Sequence, residues 1–510
     1  MIKVMEKVER WGIYDWTGNG HDDGNPFVDY EIVGTFKGEH EEKTVKGFYD
    51  GDGRYVVRFM PSYTGTYTYK IYGNFTDQTY EGTFEVTEPS EGNHGPVSVA
   101  NTYHFQYADK TPYYPIGTTC YVWELQSDEL IEQTYKSLAE SGFNKIRFCI
   151  FPKHYDYNLR EPRSYPYVGT PVDSSILTPD NFLEYTGKTE GNNWDFTKFN
   201  PEHFRHIERC IKRLMEMGIE ADIIVFHPYD RWGFSQMTRD QDTLYIRYLI
   251  SRLAAFRNVW WAMANEYDLF EHKNAADWDY IGTLFMKEDP YNHLRSIHNC
   301  REFYDHSKNW ITHCSIQRQD LYKGAEFTTE WRKKYQKPVV LDEIAYEGNI
   351  QFGWGNITGE EMVRRMWEGA IRGGYPGHGE TYLSKDNILW WSHGGKLHGE
   401  SWKRVKFLLE ILKETPGLGL KCDTSRMEEW DAVIGIPEDD KLAEETGYQL
   451  FYYSFMRPSF RQFRFKDDKK YRVEVIDTWN MTITDAGVHS GCFKIDLPGR
   501  QYMAIRLRKA

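Results

Sequence analysis

Two stretches of the chain place carboxylates where a carboxylate is costly. In VWWAMANEYDL (residues 259–269), an apolar run leads straight into Asn265 and Glu266. In PVVLDEIAYEG (residues 338–348), a second apolar run closes on Asp342 and Glu343. Burying an ionised side chain costs several kcal/mol unless it is paired. Each residue is therefore a cap, half of a buried ion pair, or a catalyst. Two carboxylates at one pocket could hydrolyse a glycosidic bond: one, kept protonated, donates to the leaving oxygen while the other attacks the anomeric carbon or activates water. One glutamate at a strand end is ordinarily a polar loop residue; two, each closing an apolar strand, favour catalysis. An apolar setting at the end of the first run would also hold the Glu266 proton in place near neutrality.

These runs need a scaffold that brings their ends together. From about residue 110 the pattern alternates strand and helix. Segments 113–119, 145–151, 220–226, 259–265, 293–299, 310–316, 338–343 and 374–382 read as strands. Between them Phe204, Ile207, Ile211 and Leu214 share one helical face that ends at Gly218, and helices over 130–141 and 360–372 end at Gly142 and Gly373. Eight strands with mostly helical connections predict a (β/α)8 TIM barrel, whose active site forms at the C-terminal ends of the strands. No Gly-rich phosphate loop follows the first strand, which argues against a nucleotide-binding doubly wound sheet. The predicted class is α/β. An N-terminal β-sandwich (Ig- or fibronectin-like) covers residues 1–97, the central barrel 98–419, and a C-terminal β-sandwich 420–510. Period-two alternation puts Leu341 and Glu343 on one strand face and Asp342 on the other, which favours Glu343 for the pocket.

Other residues near the predicted strand ends are candidates for binding substrate. They are Trp123 after the first strand, His227 after the third, His298 in the fifth, His313 near the sixth, and Trp391 and His398 after the eighth. Tryptophan faces suit sugar rings as well as loop packing, and each histidine is more often a hydrogen-bonded structural residue than a catalyst. The segment 152–201, with Tyr155, Tyr165, Tyr167 and Trp194, is long for a connection and is expected to fold over the pocket and narrow it, favouring exo action.

Composition excludes several function classes. Across 510 residues the net charge is −14, so no basic surplus exists to neutralise nucleic-acid phosphates or an anionic membrane. There is no apolar run of membrane-spanning length, and the N-terminus, MIKVMEKVERWG, lacks an apolar core of signal-peptide length. Seven scattered cysteines show no CxxC spacing. The expectation is a cytoplasmic protein without disulfides; association into homo-oligomers stays open. Asp50-Gly51-Asp52-Gly53 lacks the later ligands of a calcium loop and reads as a turn. No cofactor or metal is expected, since the first strand ends TTCYVWE without an HxH pair. His227, His298 and His313 on three strands keep a metal-dependent barrel hydrolase as one rival, and a non-catalytic carbohydrate-binding barrel is another.

The ordered set of motifs resembles clan A glycoside hydrolases over nearly the whole chain. Asn265-Glu266 after strand four and Glu343 after strand seven resemble that clan's catalytic pair. The segments ERWGIYDW, GNPFVDY, GFYDGDGRYVVRFMP, WSHGGKLHGES and YRVEVIDTWNMTI are similar to an uncharacterised β-sandwich family preceding glycoside hydrolase barrels, including apiosidase-like ones and proteins labelled endoglucanase. The resemblance implies Glu266 as acid/base, Glu343 as nucleophile, Asn265 as donor to the sugar 2-hydroxyl, Arg147 as support for the nucleophile, and His313 as the clan's residue after strand six. It further implies a retaining hydrolase of plant- or microbe-derived oligosaccharides, with carboxyl groups about 5–5.5 Å apart rather than ~6.5–9.5 Å. An endo-acting, glucanase-type hydrolase is the alternative.

Overall fold

The computed structural model describes residues 6–510 apart from 159, 179, 385–388, 426–430 and 467–468. The first five residues, part of the N-terminal stretch read above, lie outside the described residues. The strands carrying the candidate residues are short: β1 (Gly117–Thr119), β2 (Lys145–Cys149), β3 (Glu220–Phe226), β4 (Val259–Ala264), β5 (Arg295–Ser296), β6 (Cys314–Gln317), β7 (Val339–Glu343) and β8 (Tyr375–Pro376). All pairings among them are parallel. β1 to β5 form one continuous sheet, and β6 to β8 a second. Single bridges, His298 to Ser315 and Thr118 to His378, join the two sheets at both edges, so the pairings run in a closed ring. β3 and β4 are buried along their whole length, which is why β4 reads as a continuous apolar run rather than as alternation, whereas β3 buries Glu220 and Asp222 ahead of its apolar run.

Helices cover the outside of the ring. α1 (Asp128–Ser141) starts on the Ser127 side chain and stops at Gly142, whose φ of 78° lies in the left-handed region open to glycine. α2 (Pro201–Glu216) has proline in its first turn, where no backbone N–H is needed. α3 (Arg239–Leu253) and α4 (Ala275–Glu288) each begin in a capping box. α5 (Thr328–Tyr335), α6 (Gly359–Ile371) and α7 (Ser401–Lys413) complete the layer. No helix joins β5 to β6 among the described residues.

The predicted first strand, 113–119, splits in two. Pro112–Tyr113 joins Val97–Ala100 and His104–Tyr107 in a small sheet of its own, and only Gly117–Thr119 enters the ring. That small sheet seals the floor, with Phe105 packed on Trp260, Tyr375 and His313. N-terminal to it, a five-stranded and a three-stranded sheet share a core that includes Tyr14, Phe36, Phe59 and Phe84. Beyond α7, a six-stranded sheet and a two-stranded ribbon enclose Phe451, Phe463, Val473 and Ile505. Buried ion pairs tie both flanks to the centre: Arg252 to Asp50 at 2.8 Å, and Arg332 to Glu438. The seven cysteines form no disulfide, and among the described residues no helix is long and apolar enough to cross a membrane.

The ring is charged inside. Lys145 Nζ lies 2.5 Å from Asp222 and 2.8 Å from Asp342, all three fully buried. Burial opposes ionisation of Asp342, but the Lys145 and Arg147 cations outweigh it and hold this carboxyl well below the usual range. Removing one partner of such a set strands a charge in a dry site. Lys145→Met should therefore lower stability by about 3–5 kcal/mol, read as a fall in thermal midpoint, and Lys145→Met with Asp222→Asn should recover part of it.

Candidate active site

β4 delivers Asn265 and Glu266 to the rim. The Asn265 amide bonds to Phe226 O at 3.0 Å and the Tyr267 amide to His298 O at 2.9 Å, so the turn is pinned on both sides. Between them Glu266 adopts φ 49°, a left-handed conformation that a non-glycine residue holds only under local constraint. Its carboxylate is not in the apolar setting expected from the sequence. Oε2 accepts from the Tyr229 hydroxyl and from Asn265 Nδ2 at 3.3 Å, and Oε1 from Gln317 Nε2 at 2.9 Å.

Glu343 reaches the same rim through a break in register. Ser315 pairs with Val340 but Gln317 with Glu343, so β7 spends one more residue than β6 over this step. Such a bulge re-aims the side chains beyond it. Leu341 packs outward near Gly369 of α6, and Asp342 points into the ring to meet Lys145 and Ser315. Plain alternation would have sent Glu343 the way of Leu341. Instead it accepts from the Tyr121 hydroxyl, with Arg147 Nη1 at 3.6 Å and His298 Nε2 at 3.8 Å. Ala345, with φ 67°, completes a second constrained turn.

Arg147 Nη1 also donates to Asn265 Oδ1 at 2.8 Å, so one buried guanidinium faces both strand ends. Burial and the nearby Glu266 charge push the Glu343 carboxyl up to about 7, against the lowering effects of Arg147, the Tyr121 hydrogen bond and Lys153. Burial and the Arg147 charge keep His298 neutral.

Both glutamates line a cavity of about 400 Å3 whose walls include Tyr121, Tyr155, Tyr229, Trp354 and Trp391. Lys153 Nζ sits over four of these rings, 3.5 Å from Tyr121, 4.4 Å from Tyr229 and Trp391, and 5.0 Å from Tyr155. The connections after β6 and β7, with Arg318 to Leu321 and Gly353-Trp354, close the opposite side. Among the described residues of the long 152–201 segment, only Lys153 and Tyr155 line this cavity. The rest folds outward as the hairpin Tyr167–Thr170 with Asn193–Phe199, packed on Phe234 and Tyr248.

Glu266, Glu343, Asn265, Arg147, His298 and Trp391 thus come together; four other candidates do not. Trp123 is fully buried, turned by a short 3-10 segment against Tyr135 and Phe148 beneath the helices. His227 is buried with Nε2 on Phe151 O at 3.2 Å, and burial lowers its pKa to about 3. His313 precedes β6 and lies at the floor between Phe105 and Trp260, at the wrong end of the strand. His398 is exposed, and only its backbone amide is engaged, by Glu380. Among the described residues, none of His227, His298 and His313 belongs to a group of three or more potential ligands at metal spacing. Gln317, Tyr121 and Tyr229 were missed: Gln317 lies one residue past the predicted end of strand six, and the tyrosines two or three residues past β1 and β3.

Residues 99–410 match the family described as apiosidase-like, catalytic domain. Two domains of unknown function match on either side, DUF5060 at 7–74 and DUF5605 at 430–508. A candidate glycoside hydrolase from Bacteroides vulgatus ATCC 8482 is 35% identical over 99% of this chain and 100% of its own, with a TM-score of 0.90. A glycoside hydrolase family 5 protein from the same organism covers 82% of this chain and 93% of its own at 15% identity and TM-score 0.60, a likeness of fold. No curated protein matches the chain. The protein is a glycoside hydrolase. It belongs to the apiosidase-like family, and its substrate is a carbohydrate.

The raised Glu343 carboxyl has a consequence for stability. A group whose pKa rises on folding contributes stability fully present below its unfolded value, near 4.5, and lost as pH climbs through about 7. Glu343→Gln should therefore be more stable than the wild type above pH 8 by on the order of 2–3 kcal/mol and equal to it near pH 4, as read from thermal midpoints across pH. Equal midpoints at both ends would refute it.

Proposed function

We propose that this enzyme is a retaining, clan A-type hydrolase on a (β/α)8 barrel flanked by two β-sandwiches, with Glu266 as acid/base and Glu343 as nucleophile. The observation that supports this most is that two glutamates from different strand ends line one cavity, with the Arg147 guanidinium 3.6 Å from Glu343. Glu266 is oriented by three donors from its neighbours, whereas Glu343 meets one hydroxyl and the Arg147 charge. In the first step Glu343 attacks the anomeric carbon, the glycosidic C–O bond breaks, and the Glu266 proton passes to the leaving oxygen. In the second, Glu266 takes a proton from water, and the resulting hydroxide displaces Glu343 with net retention. Arg147 would favour the ionised nucleophile, and with Oδ1 of Asn265 held by Arg147, Nδ2 is left to face the sugar 2-hydroxyl. The Tyr121 and Tyr229 hydroxyls donate to Glu343 and Glu266, and Trp391 and Trp354 offer ring faces for stacking.

Exo action on short chains is favoured by a cavity of about 400 Å3 closed on one side by the connections after β6 and β7. The flanks, divided at 97/98 and 419/420, serve packing in this reading, as the Arg252–Asp50 and Arg332–Glu438 pairs suggest.

A panel of aryl glycosides and oligosaccharides identifies the substrate, and NMR of the first-formed product reads its anomer, expected to match the substrate. Glu266→Gln should lose about 10²–10⁴-fold in rate on substrates with poor leaving groups. Glu343→Ala should be inactive until azide is added, then yield a glycosyl azide. Inverted product, or wild-type turnover in either variant, would refute the assignment.

A further inference from the structure

A second set of buried titratable groups lies beside the first. Glu347, His378 and Glu380 are all buried, and one potential ligand atom from each falls within 4.8 Å of the others. Glu347 and Glu380 face each other in a short parallel pairing, Glu347–Gly348 with Glu380–Thr381, on the connections that follow β7 and β8. His378 is the residue whose bridge to Thr118 returns the ring from β8 to β1.

The hydrogen bonding here is lopsided. Glu347 accepts from the Glu400 and Ser401 amides at 2.9 and 3.0 Å, from the Ser401 hydroxyl and from Tyr382 at 3.1 Å, which seats it on the start of α7. Glu380 Oε1 accepts from the His398 amide, but Oε2 has no partner. His378 Nδ1 meets Thr118 Oγ1 at 3.1 Å, a hydroxyl that also receives Trp390 Nε1–H at 2.8 Å, and its Nε2 has no partner. Glu380 and His378 thus each keep one buried polar atom without a hydrogen-bond partner, within a group whose ligand atoms converge.

Charge is unbalanced as well. Among the described residues no lysine, arginine or histidine makes an ion pair with Glu347 or Glu380. The first turn of α7 supplies roughly half an elementary charge, against two carboxylates out of water. One imidazole nitrogen and two carboxylates make a donor set for a borderline divalent cation such as zinc or manganese. In the tautomer that donates Nδ1–H to Thr118, the Nε2 lone pair is free to ligate, the usual arrangement of a metal-bound histidine.

We propose that Glu347, His378 and Glu380 form a divalent-cation site that locks the seam between β8 and β1. The ion is structural. It ties the segments after β7 and β8 to α7, one residue from Tyr346 of the cavity wall, and the inference stands apart from the roles of Glu266 and Glu343.

The test uses the full chain. Metal content is measured by mass spectrometry after dialysis against metal-free buffer, and thermal midpoints are taken before and after a strong chelator and on adding zinc or manganese chloride alone. About one ion per chain is expected, with a midpoint that falls on chelation and recovers on re-addition. Glu380→Gln and His378→Gln should each hold at least about tenfold less metal and no longer respond to chelator. A wild-type chain that takes up neither ion and whose midpoint neither ion moves overturns the proposal, as when Glu380 merely carries a proton; that arm needs no variant to fold. Metal retained in both variants places the ion elsewhere and also overturns it. Binding lost in the variants without any midpoint change would keep the site and overturn its locking role.

Discussion

The Arg147 guanidinium is the interaction on which the site depends. It enters from β2 into a ring lumen closed to water, and it reaches Asn265 on one side and Glu343 on the other. Without it, a glutamate buried beside a second glutamate would be held almost wholly in its protonated form. The cation is itself kept in place by anions below, since Asp342 lies 3.9 Å from its Nε and is shared with Lys145. The charges form a ladder from Asp222 through Lys145, Asp342 and Arg147 to Glu343, alternating in sign so that each member stabilises the next. The rim that carries the two glutamates is in this sense the open end of a buried ion lattice.

Around that ladder the backbone is held in conformations it would not choose. Glu266 and Ala345 both sit at positive φ, and β7 carries a bulge that turns Glu343 inward. These departures cost stability locally. They are tolerated because the surroundings are over-determined: floor aromatics packed on Phe105, helices capped at fixed positions, and flanking sheets tied in by buried ion pairs.

Much of this was legible from the residues. β3 and β4 are the longest strands of the ring and largely apolar, so their ends could be read to within a residue and Asn265-Glu266 placed after β4. What failed did so for definable reasons. Trp123 lies only two residues beyond Tyr121 after β1, but a 3-10 turn takes it under the helices, which spacing alone does not reveal. His313 immediately precedes the four-residue β6 and Gln317 closes it, and a predicted strand begun four residues early and ended one early did not separate floor from rim. The inward turn of Glu343 was expected from alternation, yet it arises from a bulge that breaks alternation. Glu343 does line the cavity, for a reason other than the one alternation supplied.

The ring closes through single bridges at two places, and this divides the rim between two sheets. Glu266 ends a strand of the five-stranded sheet and Glu343 a strand of the three-stranded one. No continuous backbone ladder sets the gap between them. It is spanned by side chains that cross from one sheet to the other: Gln317 to Glu266, Tyr121 and Arg147 to Glu343. The two halves act as jaws with polar tendons, so the spacing on which a glycosidase's stereochemistry turns is adjustable by exchanging a tendon, with both sheets left as they are.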